Sequence, residues 1–226
     1  MIPILYHPEF TAGFADREEE LYEARDVGLR VYKKAGYYAA ELPDELDEDD
    51  KVSQVFVARG MDGAVFAAAR YVPGREGRPL PMEQGLELAY PAALAAIAVT
   101  RRLEGEIVNE RPMKSGASAL ALICSAFLYY SANRDYDVTV HVTIGRWADR
   151  VRKAGFSFHP IPIVRCIYPH DGPMAPYYYK NPEPLSCHYG LIAENRDKAA
   201  SCCQALGIRI DPAYTPGGAF HGPEVP

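Results

Sequence analysis

Apolar residues recur at helical spacing between about Asp16 and Ala40, at Leu21, Ala24, Val27, Leu29, Val31 and Tyr32, with charges between them. This spacing predicts one or two amphipathic helices. An acidic loop follows, and then two alternating stretches, Val52 to Ala58 and Ala64 to Val72, are separated by Arg59-Gly60-Met61-Asp62-Gly63. The Asp-Gly step is a turn signal, so the pair predicts a β-hairpin. The second strand carries small apolar residues into Arg70 and a Pro-Gly turn, just after the paired aspartates of DELDEDD, which places a fixed cation beside fixed anions. Gly74 to Pro81 predicts a loop, and the alanine-rich stretch from Met82 to Leu103 predicts a helix broken near Pro91.

Further along, Gly105 to Asn109 reads as a short strand, and Ser115 is placed to cap a helix running to about Ala132. Val138 to Ile144 alternates as a strand, Arg146 to Ala154 predicts a short helix, Phe156 to Ile163 another strand, and Asn195 to Leu206 a last helix. The Gly- and Pro-rich stretch 212–226 is expected to be a disordered tail. Together these elements predict an α/β fold, one mixed and mostly antiparallel sheet flanked by helices.

Composition narrows the classes. The chain has 226 residues, 48% hydrophobic and 24% charged, which suits a single soluble domain over 1–226 with its own core. A net charge of -6 argues against a nucleic-acid partner, which needs a dense basic field to neutralise phosphates. Five cysteines without a C-x-x-C pair suggest neither a disulfide framework nor a zinc site, so no metal is expected and a reducing cytoplasm is the expected setting. The N-terminus lacks a basic, apolar export signal, and no stretch is apolar for long enough to span a membrane.

The order of helix, acidic loop, hairpin ending ARYVPG, strand GEIVNE, helix, strand and helix RWADRVRKAG resembles the branch of the GNAT acyltransferases that holds the acyl-homoserine-lactone synthases and N-acyl amino acid synthases. The pieces that carry the resemblance are RVYKKAGYY from Arg30 to Tyr38, Asp47 and Asp50, AAARYVPG with Arg70, GEIVNE from Gly105 to Glu110, and Arg146 to Phe158. They span roughly Tyr22 to Ile163. Gly28 and Asn109 stand where the lactone synthases carry arginines, and this favours an acyltransferase acting on another amine.

The resemblance implies N-acyl transfer from a thioester, with no tightly bound cofactor and with acylated acyl carrier protein or acyl-CoA as donor substrate. The acceptor would be the amino group of an amino acid or related amine. Such chemistry needs a carboxylate or ordered water as base and amides for the developing oxyanion. Glu106 matches the family position for the base, and Glu110 falls on the same side of an extended strand. Asp47, Asp50 and Arg70 would organise the acceptor, with Tyr32 beside them, and the amides around Val108 and Asn109 would hold the thioester oxygen. Each of these side chains also has a structural alternative: ion pairs that tie a loop to the sheet, or pairing of the glutamates with Arg101, Arg102 or Arg111.

The family's phosphate-cradling turn aligns with the window from Met113 to Ser118, which keeps Ser115, Gly116 and Ala117 but has a methionine in first place. A carrier protein's single bridging phosphate asks less of that turn than the pyrophosphate of CoA, so the carrier protein is favoured as partner. Arg146, Arg150 and Lys153 recur at one helical face and would dock that acidic protein, or form an ordinary solvated face. One of the sixteen tyrosines would protonate the leaving thiolate, and the sequence does not choose among them. His141 is expected to be a core or sheet-face residue. The rival readings are a lactone autoinducer synthase and a catalytically silent carrier- or lipid-binding relative.

Overall fold

The computed structural model describes residues 4–15, 17–37, 48–110, 116–144, 147–181 and 183–211. A nine-stranded sheet runs through it in the order β11-β1-β2-β3-β4-β6-β7-β10-β8. The strands are β1 (Leu5–His7), β2 (Phe10–Phe14), β3 (Gln54–Gly60), β4 (Val65–Pro73), β6 (Arg102–Asn109), β7 (Val138–Ile144), β8 (His159–Ile161), β10 (Leu185–Leu191) and β11 (Arg209–Ile210). Only β6 and β7 run parallel; the other neighbours are antiparallel, as the sequence predicts. A second, two-stranded sheet joins β5 (Leu86–Leu88) to β9 (Ile163–Cys166).

The predicted hairpin is β3–β4. Gly63 takes the left-handed conformation at φ +81° and Gly60 N–H donates to the Ala64 carbonyl at 3.0 Å, which closes the turn. On one face of the sheet, Val55, Val57, Ala68 and Val108 pack against Ala24 and Val27 of α1 (Glu18–Ala35), the helix seen in the sequence as an amphipathic repeat. Gly36 ends it at φ +72° and returns its amide to the Lys33 carbonyl. On the other face lies α5 (Ala117–Ala132), buried on all sides because α8 (Ile192–Ala205) covers its outer surface. Phe127 and Tyr130 of α5 are fully enclosed, and burial of this kind stabilises by about 1.5–3 kcal/mol for each large apolar side chain.

The structure corrects the helix expected over Met82 to Leu103. That stretch holds α3 (Pro81–Gly85), β5, α4 (Ala92–Ala95), a 3-10 turn at Val99–Arg101 and the start of β6. Pro81 and Pro91 each stand at a helix start, where a missing N–H costs nothing, and β5 takes its partner from β9. The strand expected over Phe156 to Ile163 is two strands, β8 and β9, which belong to different sheets. The helix expected from Arg146 to Ala154 is α6 (Trp147–Lys153). The stretches that form β1, β2 and β10 carried no strand expectation. The tail 212–226 lies outside the described residues, and no helix among the described residues is long and apolar enough to cross a membrane.

Candidate active site

The parallel pairing of β6 with β7 stops early. It joins Arg102, Leu103 and Glu104 to Val138, Thr139 and Val140, and beyond Glu104 the two strands part while each keeps its outer neighbour. A cavity of about 450 Å³ opens between them. Residues of both sheet faces line it: Glu104, Glu106 and Val108 on the α1 face, Ala119 and His141 on the α5 face. Where the ladder ends, the His141 ring lies against the backbone of Gly105, whose missing Cβ would stand 2.4 Å from His141 Cε1. His141 Nδ1 donates to the Gly105 carbonyl at 3.0 Å, because a carbonyl only accepts. Burial holds this imidazole neutral, with its pKa lowered to about 4. His141 is therefore buried in the sheet, as expected, and lines the cavity as well.

Glu110 N–H donates to the Phe66 carbonyl of β4 at 2.9 Å. The alternation of an antiparallel ladder then turns the amides of Glu104, Glu106 and Val108 toward β4, and those of Gly105, Ile107 and Asn109 toward the gap. Of the amides expected around Val108 and Asn109, that of Val108 faces away from the gap, whereas those of Asn109 and the neighbouring Ile107 face it. The Asn109 side chain donates to Ser118 Oγ at 2.8 Å and ties β6 to the first turn of α5.

The β4–β6 register sets Arg70 directly opposite Glu106. Arg70 Nη2 reaches Glu106 Oε2 at 3.0 Å and Nη1 reaches Asp50 Oδ1 at 2.5 Å, with Arg25 3.8 Å from the same aspartate. Asp50 comes from α2 (Glu48–Val52), which Asp49 clamps to the loop after β4: Arg75 holds this carboxylate at 2.6 Å and Arg78 at 2.8 Å. Desolvation lifts the Glu106 carboxyl to about 7 even though Arg70 pulls the other way. Glu104, one pleat away on the same face, is lifted further, to about 8, again by desolvation. The Met82 amide donates to it at 2.7 Å, which opposes the rise together with Arg70, while Glu83 and Asp49 add to it.

Glu110, the second candidate base, does not line the cavity. Arg30 of α1 grips it with two hydrogen bonds, at 2.6 and 2.9 Å. Neither glutamate pairs with Arg101 or Arg102, which bind Asp137 and the Ile97 carbonyl instead; Arg111 lies outside the described residues.

Tyrosines wall the α1 side. Tyr32 and Tyr37 meet Tyr177 with ring centroids 6.5 and 5.3 Å apart, and Tyr177 and Tyr178 come from α7 (Ala175–Tyr179). Burial raises the pKa of both Tyr177 and Tyr178, so they stay neutral donors. The four tyrosines lining the cavity narrow the choice that the sequence leaves open. At the other end stand Gly116, Trp147 and Arg150. Gly116 precedes α5 in the left-handed conformation, at φ +67°, while Ala117 is buried in the core. Arg150 and Lys153 are exposed on α6. Asp47, Ser115 and Arg146 lie outside the described residues.

No protein-family model and no curated protein matches the chain. Solved structures do. The CoA-dependent acyl-homoserine lactone synthase BjaI, solved with SAM and isopentyl-CoA, superposes with a TM-score of 0.59 over 98% of this chain and 95% of its own, at 15% identity. The fold is similar to that of acyl-homoserine lactone synthases. TofI, in a ternary complex with an inhibitor and MTA, matches with a TM-score of 0.54 at 16% identity over 95% of this chain and 100% of its own. The AHL synthase LasI matches with a TM-score of 0.52 at 16% identity over 84% of this chain and 90% of its own. The resemblance read from the short motifs thus holds for the fold.

Proposed function

We propose that this protein is an N-acyltransferase that moves an acyl group from a thioester of acyl carrier protein or CoA to the amino group of an amino acid or related amine. The observation that carries the proposal is the parting of β6 and β7, which sets Glu106, lifted to about 7, in the wall of a cavity lined from both sheet faces. A base with a pKa near the working pH is half ionised and still a good proton acceptor. The amine approaches on the α1 face, where Arg70 and Asp50 orient it and Glu106, directly or through water, takes its proton. The thioester approaches on the α5 face with its carbonyl oxygen toward the amides that β6 turns to the gap. Nitrogen attacks the carbonyl carbon, the oxyanion collapses, the carbon–sulfur bond breaks, and the thiolate takes a proton from a cavity tyrosine.

The donor phosphate falls to the N-terminus of α5 beyond Gly116, where free amides and the helix dipole favour an anion. Arg150 and Lys153 form the face on which an acidic carrier protein docks. A lactone synthase is the second reading, favoured by the activity of the lactone synthases with a similar fold. In that case the acylated acceptor would close on itself to a lactone.

Mass spectrometry of products from acylated carrier proteins and acyl-CoAs, each offered with a panel of amino acids and amines, tests the proposal. An N-acyl product that disappears with Glu106→Gln supports it, and a lactone product selects the second reading. Carrier binding without any product would overturn both and leave a silent binding protein.

A further inference from the structure

Among the described residues, no basic side chain forms an ion pair with Glu104, and Arg70 acts on it only at a distance. Glu104 lines the cavity one pleat from Glu106, and its hydrogen bond among the described residues comes from one amide, that of Met82. Arg70, the nearest cation in the wall, is committed to Asp50 and Glu106. Arg102, on the same strand, gives both its hydrogen bonds to the Ile97 carbonyl and lies over the Tyr90 ring. A desolvated carboxylate left in this state is costly unless a cation meets it.

The wall beside it suits a cation. Tyr178 stacks on Tyr168 at 4.5 Å and sinks against Gly85, where a Cβ would stand 2.3 Å from its ring. Tyr177 stands edge-on to it at 5.1 Å. Aromatic faces attract ammonium and other soft cations, most strongly where water is excluded. A further unmet acceptor lies at the point where the strands part: His141 is 4% exposed, lines the same cavity, and its Nε2 carries a lone pair with no partner.

We propose that Glu104 determines specificity: with Tyr177 and Tyr178 it forms a subsite for a second positive charge on the acceptor, apart from the amine that Glu106 serves. Alternate residues of a strand stand about 7 Å apart, so the two charges are separated by the span of an extended short diamine. The word acceptor rests on the acyl-transfer reading; the charge subsite does not.

The experiment is calorimetric titration of the full-length protein with probes matched in size and differing by one charge. The pairs are lysine against norleucine, 1,5-diaminopentane against pentylamine, and S-adenosylmethionine against S-adenosylhomocysteine. In at least one pair the probe with the extra charge binds at least tenfold tighter to the wild type. Glu104→Gln, which keeps an oxygen for the Met82 amide, abolishes that preference, and Glu104→Asp keeps part of it, with melting temperatures confirming that both variants fold. Equal binding within every pair, absence of binding by all the probes with the extra charge, or an undiminished preference in Glu104→Gln overturns the subsite. Acyl transfer is assayed separately: turnover without a charge preference removes only the subsite, whereas a Glu104-dependent preference without turnover removes only the acyl-transfer reading.

Discussion

Two carboxylates on alternate positions of β6 are lifted into the neutral range by the same cause, removal from water, yet among the described residues only Glu106 is ion-paired. That difference separates their expected behaviour. A general base works when ionised, so kcat/KM should rise with pH through about 7, where Glu106 loses its proton. Glu106→Gln should lower kcat by about 10²–10⁴-fold with donor binding kept. Arg70→Leu removes the charge that favours the ionised form, so the rising limb should move to higher pH, as a pH–rate profile would show. Stability should move the opposite way to activity. A carboxyl whose folded pKa lies above its unfolded value opposes folding increasingly as pH climbs from the ordinary carboxylate range through about 8, here for Glu104. Glu104→Gln should therefore melt higher than the wild type at mildly alkaline pH and lose that advantage near pH 4, the difference being about 2–4 °C for each kcal/mol relieved in a chain of this size. Glu106 was legible in the sequence through the GEIVNE resemblance. Glu104 was not, because nothing local distinguishes a strand glutamate that lacks an ion pair from one that has it; the arginine that decides the matter, Arg70, comes from β4 and is committed to Asp50 and Glu106.

At the scale of elements, Gly105 is the residue on which the site's opening turns. It lets an imidazole replace a β7 amide as the partner of its carbonyl, and so the parallel ladder can end without leaving that carbonyl unmet. Gly105→Ala would drive a Cβ into His141 and Tyr71, whose Cε1 would stand 2.6 Å away. A cost of about 1–3 kcal/mol is expected from overpacking of this kind, with loss of turnover beyond the loss of folded protein, measurable by comparing denaturant midpoints with specific activity. The clamp on α2 makes a different prediction. Arg75→Ala with Arg78→Ala breaks partly exposed ion pairs, each worth about 0–1 kcal/mol, so stability should change little. The acceptor's KM should rise because Asp50 is no longer held at Arg70. The β3–β4 hairpin could be read from alternation and an Asp-Gly turn because both signals are local. The helix misread over Met82 to Leu103 shows the converse: alanine content favours a helix, but Leu86 and Leu88 find β9 partners far along the chain, and tertiary pairing overrides propensity. β10 escaped notice for a related reason. It is flanked by β7 and β8, and although Leu185, Cys187, Tyr189 and Leu191 alternate with Ser186, His188 and Gly190, the run holds few strong strand formers.

For the whole molecule, the proposed carrier-protein donor raises the question of how a chain of net charge -6 would receive an acidic partner. Long-range repulsion between two anions slows encounter, and a local basic face must offset it. Of the docking helix read from the sequence, Arg150 and Lys153 are exposed on α6, and Arg150 also lines the cavity, so under the proposed function the helix that would meet the carrier also borders the cavity that would take its thioester. Arg152, beside them, is partly neutralised by Asp149 at 2.6 Å. Lys153 is therefore the test position. Lys153→Glu should lower kcat/KM for an acylated carrier protein about tenfold, the equivalent of about 1.4 kcal/mol, while acyl-CoA, which brings no protein surface, should lose far less. Raising the salt concentration should flatten the difference between wild type and variant with the carrier, since charges separated by water are screened within about 10 Å at 0.1 M salt. Equal losses with both donors would place the effect of Lys153 at the cavity mouth. A variant indistinguishable from the wild type would make CoA the donor to pursue, and the Glu106 chemistry would stand unchanged, because proton abstraction on the α1 face does not depend on what carries the acyl group to the other.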